Sequence, residues 1–273
     1  MKIKIATIQS RIYADKYKNI EHFAELVASG ATDRADVIVL PEMWNCPYIA
    51  KLFPEYAEPE QGDTWLAMST IARKNNVYVV GGSIPECDDE GRIYNTCYVF
   101  NRDGKQIGKH RKVHLFDVNF GLGFHESDTL TGGDSFDVID TEWGKIGIDI
   151  CFDVRFPEGM RLQALAGAKI LFVPAAFAMK TGEAHWDINM RMRAIENQVF
   201  LVADAPARID KSVYKCWGHS MVIDPWGNIL TDMGTDEGVS ISEIDLDEID
   251  RIRTELPLLS ARRTDLYRIE ERD

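Results

Sequence analysis

Short apolar runs and amphipathic stretches follow one another along the whole chain. Apolar and polar side chains alternate over residues 2–9, which predicts a strand and is too short and too polar for a secretory signal. Apolar side chains then recur at helical spacing over residues 17–27, which predicts a helix that ends at Gly30. Residues 36–40 predict a short buried strand that ends at Pro41. The first forty residues therefore predict a strand–helix–strand unit.

The same alternation continues to the C-terminal region. Further strands are predicted at residues 77–82, 94–101, 145–151, 169–174, 199–204, 220–224 and 239–244. Further helices are predicted at residues 63–75 with Asp63 as the N-cap, from Pro157 onward, at 185–197 and at 247–256. Residues 105–131 contain Gly and His and predict a long loop, and residues 224–228 predict a hairpin turn.

Interleaved strands and helices without a linker predict one α/β (α+β) domain over residues 1–273. The core is expected to span about residues 3–250, and the polar tail at residues 257–273 is expected to lie at an interface. The many strands are compatible with two sheets packed against each other.

Composition narrows the class of protein. The chain has 44 acidic and 31 basic residues and a net charge of −13, which argues against nucleic acid and anionic membranes as partners. There is no apolar run long enough to span a membrane. The five cysteines are scattered without a paired CxxC spacing, so a disulfide framework and a zinc site are not expected, and a cytoplasmic location fits best.

Three segments carry candidate chemistry. Cys151 follows an apolar run and precedes a helix, a position that suits a thiolate nucleophile beside unpaired N–H groups; the alternative is a small buried apolar residue. Glu42 directly follows an apolar strand, so it is either a partly buried general base or a solvated loop residue. Residues 109–112 (KHRK) either hold an anion or form a solvated basic patch.

Glu42, Lys112 and Cys151, in this order, resemble the Glu-Lys-Cys triad of the nitrilase superfamily of carbon–nitrogen hydrolases. The segments around them resemble its three signature blocks, and a fourth segment resembles the one that carries a second glutamate, Glu126. These segments are 41–45 (PEMWN), 111–116 (RKVHLF), 150–158 (ICFDVRFPE) and 124–127 (FHES).

Within the superfamily the likeness is greatest to omega-amidases, which act on 2-oxoglutaramate. The similarity extends from about Lys4 to Tyr267. The second half carries it, at residues 174–177, 181–186, 191–198, 205–208, 217–220 and 224–227.

The resemblance implies a four-layer α-β-β-α sandwich that assembles into homodimers or larger oligomers through helices. It implies that Cys151 attacks an amide carbonyl while Glu42 transfers its proton to the leaving ammonia. Lys112 and the backbone N–H of Phe152 are expected to hold the oxyanion, and Glu126 is expected to position Lys112 and the substrate amide. The reaction implied requires no metal or organic cofactor.

Two further residues, Tyr48 and Arg155, are expected near a substrate carboxylate, although Arg155 could instead pair with Asp153.

The chain departs from the omega-amidase pattern at two places. The loop at residues 117–126 is about two residues shorter and lacks a Pro-Gly pair, which affects the expected substrate. Asp149 replaces a small or apolar residue two positions before the nucleophile. If both side chains share one face of a strand, this carboxylate would raise the thiol pKa; the favoured alternative is that Asp149 pairs with a cation on the sheet.

The leading hypothesis is an amidase that cleaves the terminal amide of a small carboxylate such as 2-oxoglutaramate or 2-oxosuccinamate and releases ammonia. The alternatives are an N-carbamoyl amine or N-carbamoyl-β-alanine amidohydrolase, a nitrilase, and a non-catalytic binding module. A missing triad residue would mark the last of these, and all three triad residues are present.

Overall fold

The computed structural model describes residues 1–119 and 123–271. Fifteen strands and six α-helices are assigned in these ranges. The strands are β1 (Lys2–Gln9), β2 (Val37–Val39), β3 (Tyr78–Val80), β4 (Ile84–Cys87), β5 (Ile93–Phe100), β6 (Gln106–Arg111), β7 (Asp117–Val118), β8 (Phe124–His125), β9 (Val138–Thr141), β10 (Gly144–Ile148), β11 (Ala168–Pro174), β12 (Phe200–Asp204), β13 (Met221–Ile223), β14 (Ile229–Asp232) and β15 (Gly238–Asp245). The helices are α1 (Lys16–Leu26), α2 (Phe53–Tyr56), α3 (Asp63–Asn75), α4 (Pro157–Leu165), α5 (Met179–Asn197) and α6 (Asp247–Glu255).

Two large sheets dominate the described part of the chain. The first has the order β15-β1-β2-β3-β5-β4, with β6 paired to β5, and the second has the order β14-β13-β12-β11-β10-β9. In each sheet three neighbouring strands are parallel, β1 to β3 in the first and β10 to β12 in the second. Strands β7 and β8 form a separate two-stranded ribbon.

The two sheets face each other across one apolar core. Ile5 and Val39 of the first sheet belong to the same buried cluster as Ile148 and Leu171 of the second. The opposite face of β1 carries Ile8, which packs with residues of α1 and α3 in another cluster. Helices α4 and α5 contact the second sheet. The layers therefore run helix, sheet, sheet, helix, and the predicted four-layer α-β-β-α sandwich is confirmed.

Most predicted elements are present, with shifts that have physical causes. The N-cap of α3 is Gly62 and not Asp63; the buried carboxylate of Glu58 accepts from the N–H of Thr64 at 3.0 Å, and Asp63 accepts from the Tyr17 hydroxyl instead. Tertiary contacts therefore replaced the local cap that the sequence predicted.

Two further predictions were wrong about extent. The segment predicted as a long loop contains β6, because residues 106–111 pair antiparallel with β5. Helix α5 begins at Met179 and not at residue 185, and its added first turn packs Gly182 against Trp217, where a Cβ would lie 2.3 Å from the indole.

The predicted helix end at Gly30 is confirmed by its φ of 80°, within the turn that continues α1.

The candidate site lies where strands of both sheets end. Strand β2 leads to Glu42, β10 leads to Cys151, and β11 leads to Ala176. Because β2 belongs to one sheet and β10 and β11 to the other, the fold brings the candidate residues together from both layers. Carboxyl ends of parallel strands commonly form ligand sites in α/β folds.

No helix in residues 1–119 and 123–271 has the length and apolar character needed to cross a membrane.

Candidate active site

The four predicted catalytic side chains are buried together. Glu42, Lys112 and Glu126 are 1%, 0% and 0% exposed, and Cys151 is 4% exposed. Lys112 follows β6 directly, Glu126 begins a short helical turn after β8, and Cys151 begins another after β10. Such buried charges are tolerated in proteins only when they are paired.

Lys112 lies between the two glutamates. Its Nζ is 2.9 Å from Glu42 Oε1 and 3.0 and 2.9 Å from the two carboxylate oxygens of Glu126. Burial acts to lower the pKa of Lys112, but the negative charges of Glu126 and Glu42 hold that pKa above its usual range. The ammonium is therefore charged at any physiological pH and can stabilise an oxyanion.

Backbone geometry fixes the position of Glu42. After Leu40 the chain passes so close to Gly82, which has a φ of 60°, that a Cβ at Gly82 would lie 2.1 Å from the Pro41 carbonyl oxygen. The next residue in the loop, Met43, donates its N–H to Ser83 Oγ at 3.0 Å. The loop that carries the glutamate is therefore held against the neighbouring chain.

The Glu42 carboxylate has a full set of donors. Its Oε1 accepts from Asn95 Nδ2 at 2.9 Å as well as from Lys112, and its Oε2 accepts from the N–H of Ala176 at 2.8 Å. Burial raises the pKa of Glu42, an effect that the Lys112 charge opposes, and the Cys151 thiol is a further hydrogen-bond partner. The Glu42 carboxylate therefore lies within hydrogen-bond reach of the Cys151 thiol, as the predicted general base would.

Cys151 occupies an unusual backbone conformation. Its φ is 48°, in the left-handed region that non-glycine residues rarely adopt, and it opens the helical turn Cys151–Arg155. Phe152 is the second residue of that turn, and the first N–H groups of a helical turn have no partner within it. Burial and the charge of Glu42 raise the pKa of the thiol well above its usual range, while Lys112 lowers it. This direction favours the protonated thiol of Cys151.

Asp153 connects the nucleophile turn to the lysine segment. It is fully buried, and its carboxylate lies 3.3 Å from His110 Nε2 and 2.9 Å from His114 Nδ1. It also accepts from the N–H groups of His114 at 2.8 Å and Ile150 at 3.0 Å. Burial alone would raise the pKa of Asp153, yet these bonds from His110 and His114 hold it well below its usual range. The two histidines flank Lys112, so the cluster joins both catalytic segments.

Asp149 does not pair with a cation, contrary to the favoured prediction. Neither of its carboxylate oxygens has a hydrogen-bond partner among the described residues, and the side chain is fully buried. Strand β10 ends at Ile148, so the assumption that Asp149 and Cys151 share a strand face also fails. Burial and the nearby charge of Asp153 raise the pKa of Asp149 well above its usual range, which favours the neutral acid.

Arg155 does not pair with Asp153. Its guanidinium lies 3.1 Å from His185 Nδ1 and over the ring of Phe177 at 4.7 Å, and among the described residues no carboxylate pairs with it. Burial lowers the pKa of Arg155, an effect that the nearby Cys151 group opposes. An unpaired guanidinium beside the nucleophile remains compatible with the predicted carboxylate contact.

Tyr48 lies within the catalytic cluster. Its hydroxyl donates to Glu126 Oε1 at 2.7 Å and lies 3.3 Å from Glu42 Oε1. Burial raises the pKa of Tyr48 well above its usual range, so the hydroxyl remains a donor. The predicted contact with a substrate carboxylate remains a prediction.

The sequence analysis did not predict two groups that bond to Glu42, the side chain of Asn95 and the backbone N–H of Ala176. Asn95 bonds Glu42 through its side chain and accepts the N–H of Lys112 through its carbonyl at 2.8 Å. A polar amide inside the apolar strand β5 was the available signal. The N–H of Ala176 carried no such signal, because a backbone donor is independent of residue type.

Two cavities adjoin the cluster. A pocket of about 10 Å³ is lined by Cys151, Phe152 and Arg155, and a cleft of about 340 Å³ is lined by Glu42 and Tyr48. Tyr214 lines both. Within the described residues, no group of three or more His, Cys, Asp or Glu side chains is arranged to hold a metal ion.

The part of the 117–126 loop that covers residues 120–122 lies outside the described residues.

A buried cluster of Glu42, Lys112, Glu126 and Cys151 thus lies at the strand ends of an α-β-β-α sandwich. The family model for carbon-nitrogen hydrolases matches residues 4–254, and the chain belongs to this family. It is therefore an amide-hydrolysing enzyme.

Curated relatives are similar over nearly their whole length. The omega-amidase NIT2 of Mus musculus is 43% identical over 271 residues, which cover 98% of each chain. The omega-amidase NIT2 of Homo sapiens is 43% identical over 269 residues, 98% of this chain and 97% of the relative. Among solved structures, Nit3 of Saccharomyces cerevisiae, a member of branch 10 of the nitrilase superfamily, matches with a TM-score of 0.89 and 40% identity over 96% of this chain and 97% of that chain.

Proposed function

We propose that the protein hydrolyses the terminal amide of a small carboxylate, of the 2-oxoglutaramate or 2-oxosuccinamate type, through a cysteine thioester. The observation that carries the proposal is Arg155, a guanidinium without a carboxylate partner in the pocket that contains Cys151. A planar guanidinium binds a carboxylate through two parallel hydrogen bonds. The omega-amidase relatives support the same substrate class.

In the proposed first half-reaction, Cys151 attacks the amide carbonyl and Glu42 accepts the thiol proton. Burial raises the pKa of Glu42 and so makes its carboxylate a stronger base, while the charge of Lys112 favours the ionised form that accepts the thiol proton. Lys112 and the N–H of Phe152 hold the oxyanion, and preorganised donors of this kind each contribute about 3–4 kcal/mol to transition-state stabilisation.

Collapse of the intermediate breaks the carbon–nitrogen bond. Glu42 returns the proton to the leaving nitrogen, ammonia departs, and a thioester remains on Cys151. Water that has lost a proton to Glu42 then attacks the thioester, which releases the carboxylic acid and restores the thiol. Glu126 positions Lys112 in this scheme, and Tyr48 holds Glu126 through its 2.7 Å hydrogen bond.

We also propose a homo-oligomer that forms through helices. Ile188 and Met192 of α5 are 67% and 46% exposed, and they lie one turn apart on the same face. Leu266 and Tyr267 of the tail are also exposed, which supports the proposed interface role of residues 257–273. The five cysteines are free thiols, which supports a reducing compartment such as the cytoplasm.

The test is ammonia release from 2-oxoglutaramate, succinamate and an N-carbamoyl-β-alanine control, by wild type, Cys151→Ala and Arg155→Lys. We expect turnover of the first two substrates by wild type, none by Cys151→Ala, and a KM raised about tenfold or more by Arg155→Lys. Carbon dioxide release from the carbamoyl substrate alone would refute the substrate class.

A further inference from the structure

The guanidinium of Arg155 is held by its surroundings, although no carboxylate pairs with it among the described residues. It lies over the ring of Phe177 at 4.7 Å and over the ring of Phe152 at 5.7 Å. Its Nη1 lies 3.1 Å from His185 Nδ1, which is its side-chain hydrogen-bond contact in the described part of the chain. Two aromatic rings and one imidazole therefore define where the charged group points.

The backbone at Arg155 is held separately, by Arg193. Arg193 Nε donates to the carbonyl of Val154 at 2.7 Å, and its Nη2 donates to the carbonyl of Arg155 at 3.4 Å. Arg193 is 8% exposed and pairs with Glu196 at 2.7 Å. Because the backbone is fixed in this way, the main freedom left to Arg155 is the rotation of its own side chain.

One face of helix α5 provides both contacts. The helix packs against the turn Cys151–Arg155. Thr181, His185 and Arg193 are spaced by four and eight residues, which places them along one side of a helix. Thr181 lines the small pocket beside the nucleophile. His185 therefore belongs to the helix face that borders the nucleophile turn, while its own side chain is exposed.

The hydrogen bond between Arg155 and His185 has a defined direction. A guanidinium only donates, so His185 Nδ1 accepts, and the imidazole in this contact is neutral. The bond uses one of the five N–H groups of the guanidinium, and two parallel N–H groups suffice for a carboxylate. A side chain that is ordered before binding loses less conformational entropy when a ligand arrives. An oriented Arg155 should therefore bind a carboxylate more tightly than a freely rotating one.

We infer that His185 is a positioning residue that orients the Arg155 guanidinium for the substrate carboxylate without touching the substrate itself. The inference rests on the proposed function, in which Arg155 binds that carboxylate. It gives helix α5 a part in substrate recognition, through His185 at the guanidinium and Arg193 at the backbone.

The experiment measures ammonia release from succinamate by wild type, His185→Leu and His185→Asn. Leucine removes the acceptor, so KM should rise about fivefold while kcat stays within about twofold of wild type. Asparagine places Oδ1 close to the position of the histidine Nδ1, so KM should stay within about twofold of wild type. Glu183→Leu, at an exposed position on another face of α5, is the matched control and should leave both constants unchanged.

A double-mutant cycle tests whether His185 acts through Arg155. In Arg155→Lys the planar guanidinium is absent, so adding His185→Leu should change KM by less than about twofold. Alkylation of Cys151 by iodoacetamide, a reagent without a carboxylate, should keep its wild-type rate in His185→Leu. These two measurements separate orientation of Arg155 from a general disturbance of the nucleophile.

Three results would overturn the inference. In the first, His185→Leu hydrolyses succinamate with the KM of wild type. In the second, KM rises equally in His185→Leu and His185→Asn. In the third, His185→Leu raises KM by the same factor in the wild-type and Arg155→Lys backgrounds, so that His185 acts independently of Arg155. Absence of turnover of both succinamate and 2-oxoglutaramate by wild type would instead refute the proposed function, and the inference would fail with it.

Discussion

Asp149 and Asp153 lie two residues on either side of the nucleophile, and both are fully buried. Asp153 receives hydrogen bonds from two histidine rings and two backbone N–H groups, whereas neither oxygen of Asp149 has a partner among the described residues. The pKa of Asp153 is correspondingly held below its usual range and that of Asp149 is raised above it. Burial at the same depth therefore has opposite consequences for the charge, depending on the donors available.

The difference assigns the two residues different roles. Ionised Asp153 joins the turn that carries Cys151 to the segment that carries Lys112, through His110 and His114. Neutral Asp149 leaves Glu42 and Glu126 as the carboxylates that act on the thiol. These contacts favour a positioning role for Asp153, and among the described residues Asp149 makes no corresponding contact.

The largest effect is expected for Asp153→Asn. The amide NH₂ would face donors that now bond a carboxylate, so we expect about 3 kcal/mol or more of lost unfolding free energy. Displacement of the Cys151 turn relative to Lys112 should lower kcat on the order of 100-fold with a smaller change in KM.

Iodoacetamide alkylation of Cys151 across pH, on the folded fraction, distinguishes positioning from simple destabilisation. Positioning predicts a shifted alkylation profile, whereas a purely structural role predicts the wild-type profile. Because the folded pKa of Asp153 is lowered, its contribution is present above the unfolded value of about 3.9. The stability advantage of wild type over this variant should therefore shrink as the pH falls below about 4.

The same substitution at Asp149 should change the free energy of unfolding in the opposite direction. Asp149→Asn removes a group that must either stay protonated or bury an unpaired charge, so it should raise the free energy of unfolding at pH 7 by about 1–3 kcal/mol. The folded pKa is raised, so the wild-type group is most favourable below the unfolded value of about 3.9 and loses that contribution as the pH rises. Urea unfolding at pH 4 and pH 7 checks this.

Activity is expected to stay within about threefold of wild type in Asp149→Asn. Loss of stability at pH 7, or equal gains at both pH values, would contradict a neutral and unpartnered Asp149.

The smallest effect is expected for His114→Asn. The side chain of His114 is 29% exposed, so water can replace its hydrogen bond to Asp153, whereas the side chain of His110 is 5% exposed. We expect the free energy of unfolding to fall by about 1 kcal/mol in His114→Asn and by about 2 kcal/mol in His110→Asn. Both losses should be smaller than the loss in Asp153→Asn. Thermal unfolding of the three variants measures how much stability each one loses. A larger loss in His114→Asn than in His110→Asn would show that burial of the histidine does not control the loss.

The periodicity of apolar residues predicted one α/β domain, because it reports which face of each element is buried, and the resemblance to the nitrilase superfamily supplied the four-layer arrangement. The same resemblance pointed to Glu42, Lys112, Glu126 and Cys151, and the apolar runs before Glu42 and Cys151 agreed with it; the structure places all four side chains in one buried cluster. Two predictions that rested on local chemistry alone were wrong. Asp63 was expected to cap its own helix, and Asp149 was expected to find a cation.

By itself, the sequence determined the family, most of the helices and strands and the candidate reactive side chains. Only the tertiary structure decided their electrostatic state and their surroundings. The two histidine rings that separate Asp153 from Asp149 lie about 40 positions away along the chain, and the donor to Glu42 Oε2 comes from Ala176, which follows a strand of the other sheet. Periodicity and motif order are local along the chain, whereas pKa values and cavities depend on distances that exist only after the two sheets pack.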